Sequence, residues 1–494
     1  MENNRNSIHI HSVKYNFIMN IILKISQYVF PLITLPYITR ILGTIGNGKV
    51  AFASSVISYF SMFAQLGLPV YGIRICASCR DDKDKLTKTV HELLFINGIA
   101  VICVYVALGI GLITIPRLRQ DFSLMVINSV SILLNMLGME WLYQAIEQYQ
   151  YITIRNITFK IVSIILMFII IHNPEDYVIY GILTVVSAGG SNLLNLCNSK
   201  KFLGKKIYKG NYNFKQHLRP IWTFFALSVA VSVYTGMDTV MLGFLSNDED
   251  VAYYVLATKI KIVLANSISA LGPVLLPRIT YCLNNGQEDK FKEYVKKSLH
   301  FVVMVAIPIV IYFMVMSQDM IQILGGKEYG SAVQCMQIIT LALIPLGIGN
   351  VACQQVLAPL GKEKLTMHST ICGACINFAA NFVLIPLLGA TGAAVATVLA
   401  ELVVAVIQVR YAWNELRDAF FDIPYLKFMM INCVSMMVLF VARNIIPVQN
   451  SFLMVLLTAG IFFGCYSIGL ILVRDDLCLQ YGMQILRCIE KKFK

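Results

Sequence analysis

Fourteen apolar stretches, each long enough to cross a bilayer, follow one another with only short charged breaks between them. A spanning helix needs ~20 mostly apolar residues, and no other element of this composition satisfies its backbone in hydrocarbon. The stretches cover 17–41, 49–73, 89–113, 121–145, 151–171, 177–198, 220–245, 251–276, 294–316, 331–355, 365–387, 389–412, 424–446 and 450–473. They are continuously apolar rather than alternating, which excludes the strands of a membrane barrel. Only 14% of residues are charged and mean hydropathy is +0.69, where a soluble chain would carry about 25% charge. The fold class is therefore an all-α polytopic membrane protein of about 14 transmembrane helices.

A net charge of +13 would suit a nucleic-acid partner, but its distribution argues against one. With a cytoplasmic N-terminus, loops on that side hold about thirty of the 40 Lys and Arg, among them Arg80, Lys83, Lys85, Lys88, Lys290 and Lys292. The opposite loops hold about six, including Lys49, Arg117, Arg119 and Lys327. The basicity is topological, and it predicts both termini on the cytoplasmic side. The polar N-terminus and a first apolar run too long for an h-region predict no cleavable signal peptide. Most of the 13 cysteines fall in spans or on the reducing side, as small apolar residues. Cys76 and Cys79 form a C-x-x-C without the second ligand pair that zinc would want.

The loop Ser199 to Arg219 carries seven basic residues and no acid. It divides six spans from eight, and it reads as a linker that could also attract anionic headgroups. A weak repeat supports two bundles: Pro69-Val70 to Arg74 at the end of span 2 is echoed by Pro273-Val274 to Arg278 at the end of span 8, about 204 residues later. The domain division is then 1–198, a six-helix lobe; 199–219, the basic cytoplasmic linker; 220–413, a second six-helix lobe; 414–473, two further spans; and 474–494, an amphipathic cytoplasmic tail.

Ionisable groups at membrane depth are costly and usually face a bundle interior or a wet cavity. Lys24 lies ~10 Å inside span 1 and Arg40 at its far end, with Pro31 and Pro36 between them expected to kink the helix. Glu140, Gln144 and Glu147 would share one face of span 4, and Asn156, Lys160 and Ser163 one face of span 5. These stripes either pair with each other or line a cavity. Asp238 lies one turn from Tyr234 in span 7, and Glu401 shares a side of span 12 with Thr397 and Gln408. Lys259 and Lys261 point about 200° apart, and Lys259, in line with Asn266 and Pro273, is the better lumen candidate. Lys24, Arg40, Lys160, Lys259 and Arg278 make a cationic substrate-cavity set suited to an anionic cargo. Glu140, Asp238 and Glu401 could instead take up a proton or sodium ion. No P-loop occurs, no His/Cys/carboxylate cluster has metal-ligand spacing, and no loop is large enough for a catalytic site, so no enzyme, cofactor or resident metal is expected.

The run Leu137-Gly138-Met139-Glu140-Trp141-Leu142-Tyr143-Gln144-Ala145-Ile146-Glu147, with Tyr151-Ile152-Thr153-Ile154-Arg155-Asn156 after it, resembles the fourth-to-fifth span signature of Wzx-like O-antigen and capsule repeat-unit flippases. Pro36 to Gly43, Leu276-Pro277-Arg278 and Pro386 to Ala394 are similar too. The resemblance implies the multidrug/oligosaccharidyl-lipid/polysaccharide exporter superfamily: two six-helix lobes around a cavity, often with two further helices. It implies alternating-access translocation of undecaprenyl-pyrophosphate-linked oligosaccharides across the bacterial inner membrane, with sodium or proton antiport. It also implies membrane lipids, polymerase and glycosyltransferase machinery as partners; Tyr28, Trp141 and Tyr143 either stack on sugars or anchor the helices at the bilayer interface, the commoner use of such aromatics. Alternatives are a lipid II flippase or multidrug antiporter of the same superfamily, and a membrane glycan polymerase.

Overall fold

The computed structural model describes residues 12–204, 212–445, 450–475 and 477–479; most of the tail 474–494 lies outside them. Among these residues the regular structure is helical. The helices are α1 (Val13–Gln65), α2 (Leu68–Ser78), α3 (Lys83–Thr114), α4 (Pro116–Gln120), α5 (Phe122–Gly138), α6 (Glu140–Ala145), α7 (Tyr149–Ile170), α8 (Tyr177–Val185), α9 (Asn192–Ser199) and α10 (Lys215–Leu245). They continue as α11 (Asp248–Ile268), α12 (Gly272–Asn284), α13 (Glu288–Val315), α14 (Ser317–Leu324), α15 (Ala332–Leu341), α16 (Leu343–Asn350), α17 (Glu363–Tyr411), α18 (Trp413–Asp422), α19 (Tyr425–Ile445) and α20 (Ser451–Leu472). Twelve stretches among the described residues are long and apolar enough to span, and two of these are double.

Helix α1 has 53 residues, ~80 Å if straight, against a hydrocarbon core of ~30 Å. It reverses at Gly43, whose backbone (φ 63°, ψ −167°) is accessible to glycine and costly for any other residue. The side-chain amide of Asn47 donates to the Ile38 carbonyl nine residues back (3.3 Å), a reach impossible along a straight helix. The prolines 31 and 36 lie within helical backbone, so the break falls at the glycine and not where the prolines led us to expect it. Helix α17 reverses likewise at Gly389 (φ 55°, ψ −131°). The predicted spans 1 and 2, and 11 and 12, are thus two pairs of passes made by continuous helical chain.

The repeat falls on matching elements. Helices α2 and α12 each begin with proline in the first turn, where a missing N–H costs nothing, and each follows a break. Span 8 therefore ends at Ile268, earlier than hydropathy suggested.

By packing, the chain forms two compact units, Met1–Ala252 and Tyr253–Lys494, so α10 is described with the first. In the first unit, α1 packs on α3, α5, α7 and α10. Ser54 donates to Asn128 Oδ1 (3.0 Å) and Asn135 to Ser61 Oγ (3.2 Å), a seven-residue register on both strands of contact, so the second pass of α1 runs parallel to α5. In the second unit, α13 is central and touches α12, α16, α18 and α19. Buried alanines 390, 393, 394, 396 and 400 let α17 approach α15 and α16 closely. The last two helices are docked rather than loose: Tyr312 of α13 is buried with Leu439 and Phe462, and its hydroxyl donates to the Val455 carbonyl (2.7 Å).

Candidate functional site

The charged groups within the spans fall into separate local settings. Helix α5 ends at Met139, a non-glycine residue at φ 41°, and α6 is only six residues long. The single face predicted through Glu140, Gln144 and Glu147 is therefore broken. Glu140 keeps Gln144, whose amide donates to it (3.5 Å). Glu147 sits beyond the end of α6, where its carboxylate accepts from Arg80 (2.5 Å) and Asn16 (3.3 Å).

The stripe on α7 faces two neighbours. Lys160 is half-buried, donates to Ser26 Oγ of α1 (3.3 Å), and lies 5.7 Å from the Phe30 ring centre. Asn156 accepts from Ser191 (2.8 Å) and from Arg155 (3.1 Å). Among the described residues no ion pair within 4 Å joins Glu140 to Lys160, so the stripes do not pair directly, yet Glu140 acts electrostatically on both Lys160 and Arg155. The stripes are neighbours through space, with Ser26 and Asn156 taking the direct hydrogen bonds.

Arg155 was not among the cavity residues expected from sequence, although an ionisable group inside a span is the signal that should have marked it. It is 4% exposed, lies over the Tyr151 ring, and leaves Nε and Nη1 without a hydrogen-bond partner. Trp141 and Tyr143 do not offer faces to a sugar. Trp141 packs with Leu68, Tyr71 and Leu142, and Tyr143 is fully buried with its hydroxyl on the Asn195 carbonyl (2.6 Å). Both are core residues; the side chain of Tyr28 lies outside what the structure describes.

Of the remaining predicted residues, Lys24, Arg40 and Arg278 are exposed at the surface of their helices, and Arg40 donates to the Pro36 carbonyl one turn back (2.6 Å). Lys259 and Lys261 are both partly exposed. Asp238 is buried and lies within electrostatic reach of Tyr59, whose hydroxyl donates to the Ser232 carbonyl (2.9 Å). Glu401 is buried on α17, and its companions have partners inside the second unit: Thr397 with Tyr254 (2.9 Å) and Gln408 with Ser369 (3.1 Å). Among the described residues no three His, Cys, Asp or Glu side chains form a metal-sized cluster.

The model of the polysaccharide biosynthesis protein family matches residues 13–282, more than half of the chain. The chain belongs to this family. A MatE model matches residues 225–383 of this polysaccharide biosynthesis family member. Two relatives carry the name "Putative O-antigen transporter". The one from Shigella dysenteriae is 24% identical over 81% of this chain and 99% of its own; the one from Escherichia coli K12 is 23% identical over 82% and 97%. Among solved structures, a lipid II flippase, MurJ, in an inward closed conformation superposes with a TM-score of 0.74 at 15% identity, covering 93% of this chain and 99% of that one. The family member therefore shares its fold with that structure and is a multi-pass membrane protein.

At the rim of the second unit, His300 Nε2 meets Asp475 (2.8 Å), which also accepts from the Cys478 N–H (3.0 Å). Burial alone would raise the Asp475 carboxyl, but the bonds from His300 and the backbone outweigh it and hold the group below its ordinary value. A depressed carboxylate stabilises the fold above its unfolded value, about 4, and loses that contribution as pH falls through the lower folded value. Asp475→Asn is therefore expected to lower the melting temperature at neutral pH, with the gap to wild type closing below about pH 4. Melting curves across pH 3 to 7 check this; a gap constant with pH would remove Asp475 from the account.

Proposed function

We propose that the chain carries an undecaprenyl-pyrophosphate-linked oligosaccharide repeat unit from the cytoplasmic to the outer leaflet of the bacterial inner membrane, for O-antigen, capsule or exopolysaccharide assembly. The observation that carries this reading is a family match with relatives named as O-antigen transporters, aligned over four-fifths of the chain. The fold it shares with a lipid II flippase supports a lipid-borne cargo. Alternating access moves the cargo. Lys24, Arg40, Lys160, Lys259 and Arg278 attract its phosphates and acidic sugars. Glu140, Asp238 and Glu401 exchange a proton or sodium ion, and the half-buried Glu140, within reach of Lys160 and Arg155, is the first of them to test. Both termini face the cytoplasm by the distribution of Lys and Arg, and polymerase and glycosyltransferase machinery consumes and supplies the cargo.

Deletion of the gene is expected to strand lipid-linked repeat units in the inner leaflet, read by leaflet-resolved labelling of the glycan. Normal surface polysaccharide in the deletion strain sinks the proposal. The MatE match keeps drug antiport as a second reading, and an altered drug-resistance profile with intact surface glycan would favour it. Lys160→Ala and Lys24→Ala are each expected to slow flipping roughly tenfold at normal expression, the loss of one desolvated charge contact with an anionic cargo. If both variants flip at the wild-type rate, these lysines are structural.

A further inference from the structure

The second unit holds a polar cavity that the transport reading does not use. It measures about 440 Å³ and is enclosed by the start of α13, the turn from α18 to α19, and the residues following α20. Its three carboxylates are all taken: Glu293 by Lys297 (2.6 Å), Asp422 by Lys296 (2.7 Å) and Asp475 by His300 (2.8 Å). Two cations of the lining remain, Lys427 at the start of α19 and Arg474 after α20, and neither has a carboxylate partner among the described residues. They come from different walls of one cavity.

Arg474 is exposed at the cavity rim and its backbone is set by a tight turn. Its backbone lies in the left-handed region (φ 55°), a conformation a non-glycine residue holds only where its surroundings impose it. The next residue, Asp475, is pinned by His300 and by the Cys478 N–H. Beneath the charged rim the lining is apolar: Phe428, Ile431 and Leu470. The cavity thus pairs two cations that have no carboxylate partner among the described residues with a hydrocarbon floor, at the bundle end where the Lys and Arg count is highest. An inorganic anion would use the rim and leave the floor unmatched. A phosphodiester carrying acyl chains uses both, and basic pockets between helices at this face are suited to it.

We propose that Lys427 and Arg474 bind the phosphodiester of an anionic phospholipid, with its glycerol and first acyl carbons against Phe428 and Leu470. The site is separate from the cargo residues, and lipid retention is read without transport, so it stands or falls independently of the flippase reading.

The test uses the purified full chain in nanodiscs of phosphatidylcholine alone or mixed with phosphatidylglycerol, with retained lipid counted by native mass spectrometry. Wild type is expected to retain phosphatidylglycerol over phosphatidylcholine by roughly an order of magnitude, and Lys427→Ala/Arg474→Ala to retain the two alike. Equal preference in wild type and variant overturns the proposal. So does complete displacement of phosphatidylglycerol by millimolar inorganic phosphate, because the anion alone would then be the ligand. Should the double variant fail to elute as a monodisperse peak, Lys427→Gln and Arg474→Gln singly carry the test, each expected to lower the preference about threefold. No change in either single variant would overturn the proposal equally.

Discussion

Arg117→Ala is expected to lower the melting temperature of the protein by roughly 10 °C. The residue stands on α4, in a loop whose charge looks dispensable by position. In the structure its Nε donates to the Gly243 carbonyl (2.8 Å), one terminal nitrogen to Asp121 (3.1 Å) and the other to Asp248. The guanidinium lies over the Phe52 ring, 4.5 Å from its centre. One side chain thus joins α4 and the start of α5 to the second pass of α1 and to the turn between α10 and α11.

Two carboxylates converge on it, and the Asp121 side chain is only 2% exposed. Removing the cation leaves the buried Asp121 beside the partly exposed Asp248, like charges together, with Lys49, 3.6 Å from Asp121, the compensating cation among the described residues. Breaking one partner out of a buried charge cluster costs about 3–5 kcal/mol, and a unit of this size loses about 2–4 °C per kcal/mol. Lysine should rescue little, since an ammonium cannot fork to three acceptors on separate elements. Arg117→Ala/Asp248→Ala should recover part of the loss, because the second change removes one stranded charge. Thermal unfolding in detergent, followed by size exclusion, reads all three. A melting temperature for Arg117→Ala within 2 °C of wild type would show that Asp121 and Asp248 find other partners.

The contrast between Arg117 and Lys160 shows which features a sequence makes legible. The passes were legible because hydropathy is a local property: each run of apolar residues declares itself. Lys160 was legible for the same reason, as a charge in the middle of such a run. The reversals at Gly43 and Gly389 fall close to the boundaries between expected spans. What escaped was every feature made by residues far apart in the chain. Ser26 meets Lys160 across 134 positions, and Asp248 meets Arg117 across 131. Tyr143 looked like a sugar platform because an aromatic in a polar stripe has two readings, and only packing against Tyr151 and Phe202 decides for the core. The break at Met139 was hidden too, since a left-handed methionine has no composition signal. It moved Glu147 off the face assigned to it.

The second large effect is expected at Glu92 on α3, and it separates loss of a shared acceptor from loss of one of its donors. Glu92 is completely buried, 125 positions from its partner His217 near the start of α10. Its carboxylate accepts from His217 Nε2 (2.8 Å), Gln216 Nε2 (3.2 Å) and the Asn213 N–H (2.6 Å), with Lys88 3.9 Å away. A carboxylate only accepts, so Nε2 carries the proton, and in the neutral ring Nδ1 accepts from the Tyr71 hydroxyl (2.7 Å). The end of the basic linker, α10, α3 and α2 are thereby tied at one point. Glu92→Ala strands three donors at once, and should cost about 3–5 kcal/mol. His217→Ala leaves Glu92 with its other three partners and strands only the Tyr71 hydroxyl, so about 1–3 kcal/mol is expected. The order of the two effects is the discriminating result. The double variant should fall short of the sum by about 1–3 kcal/mol, since the residues share one network. Hydrogen exchange should locate the loss, with protection falling first at the start of α10. Equal costs for the two single variants would mean that packing, rather than the acceptor capacity of Glu92, holds this junction together.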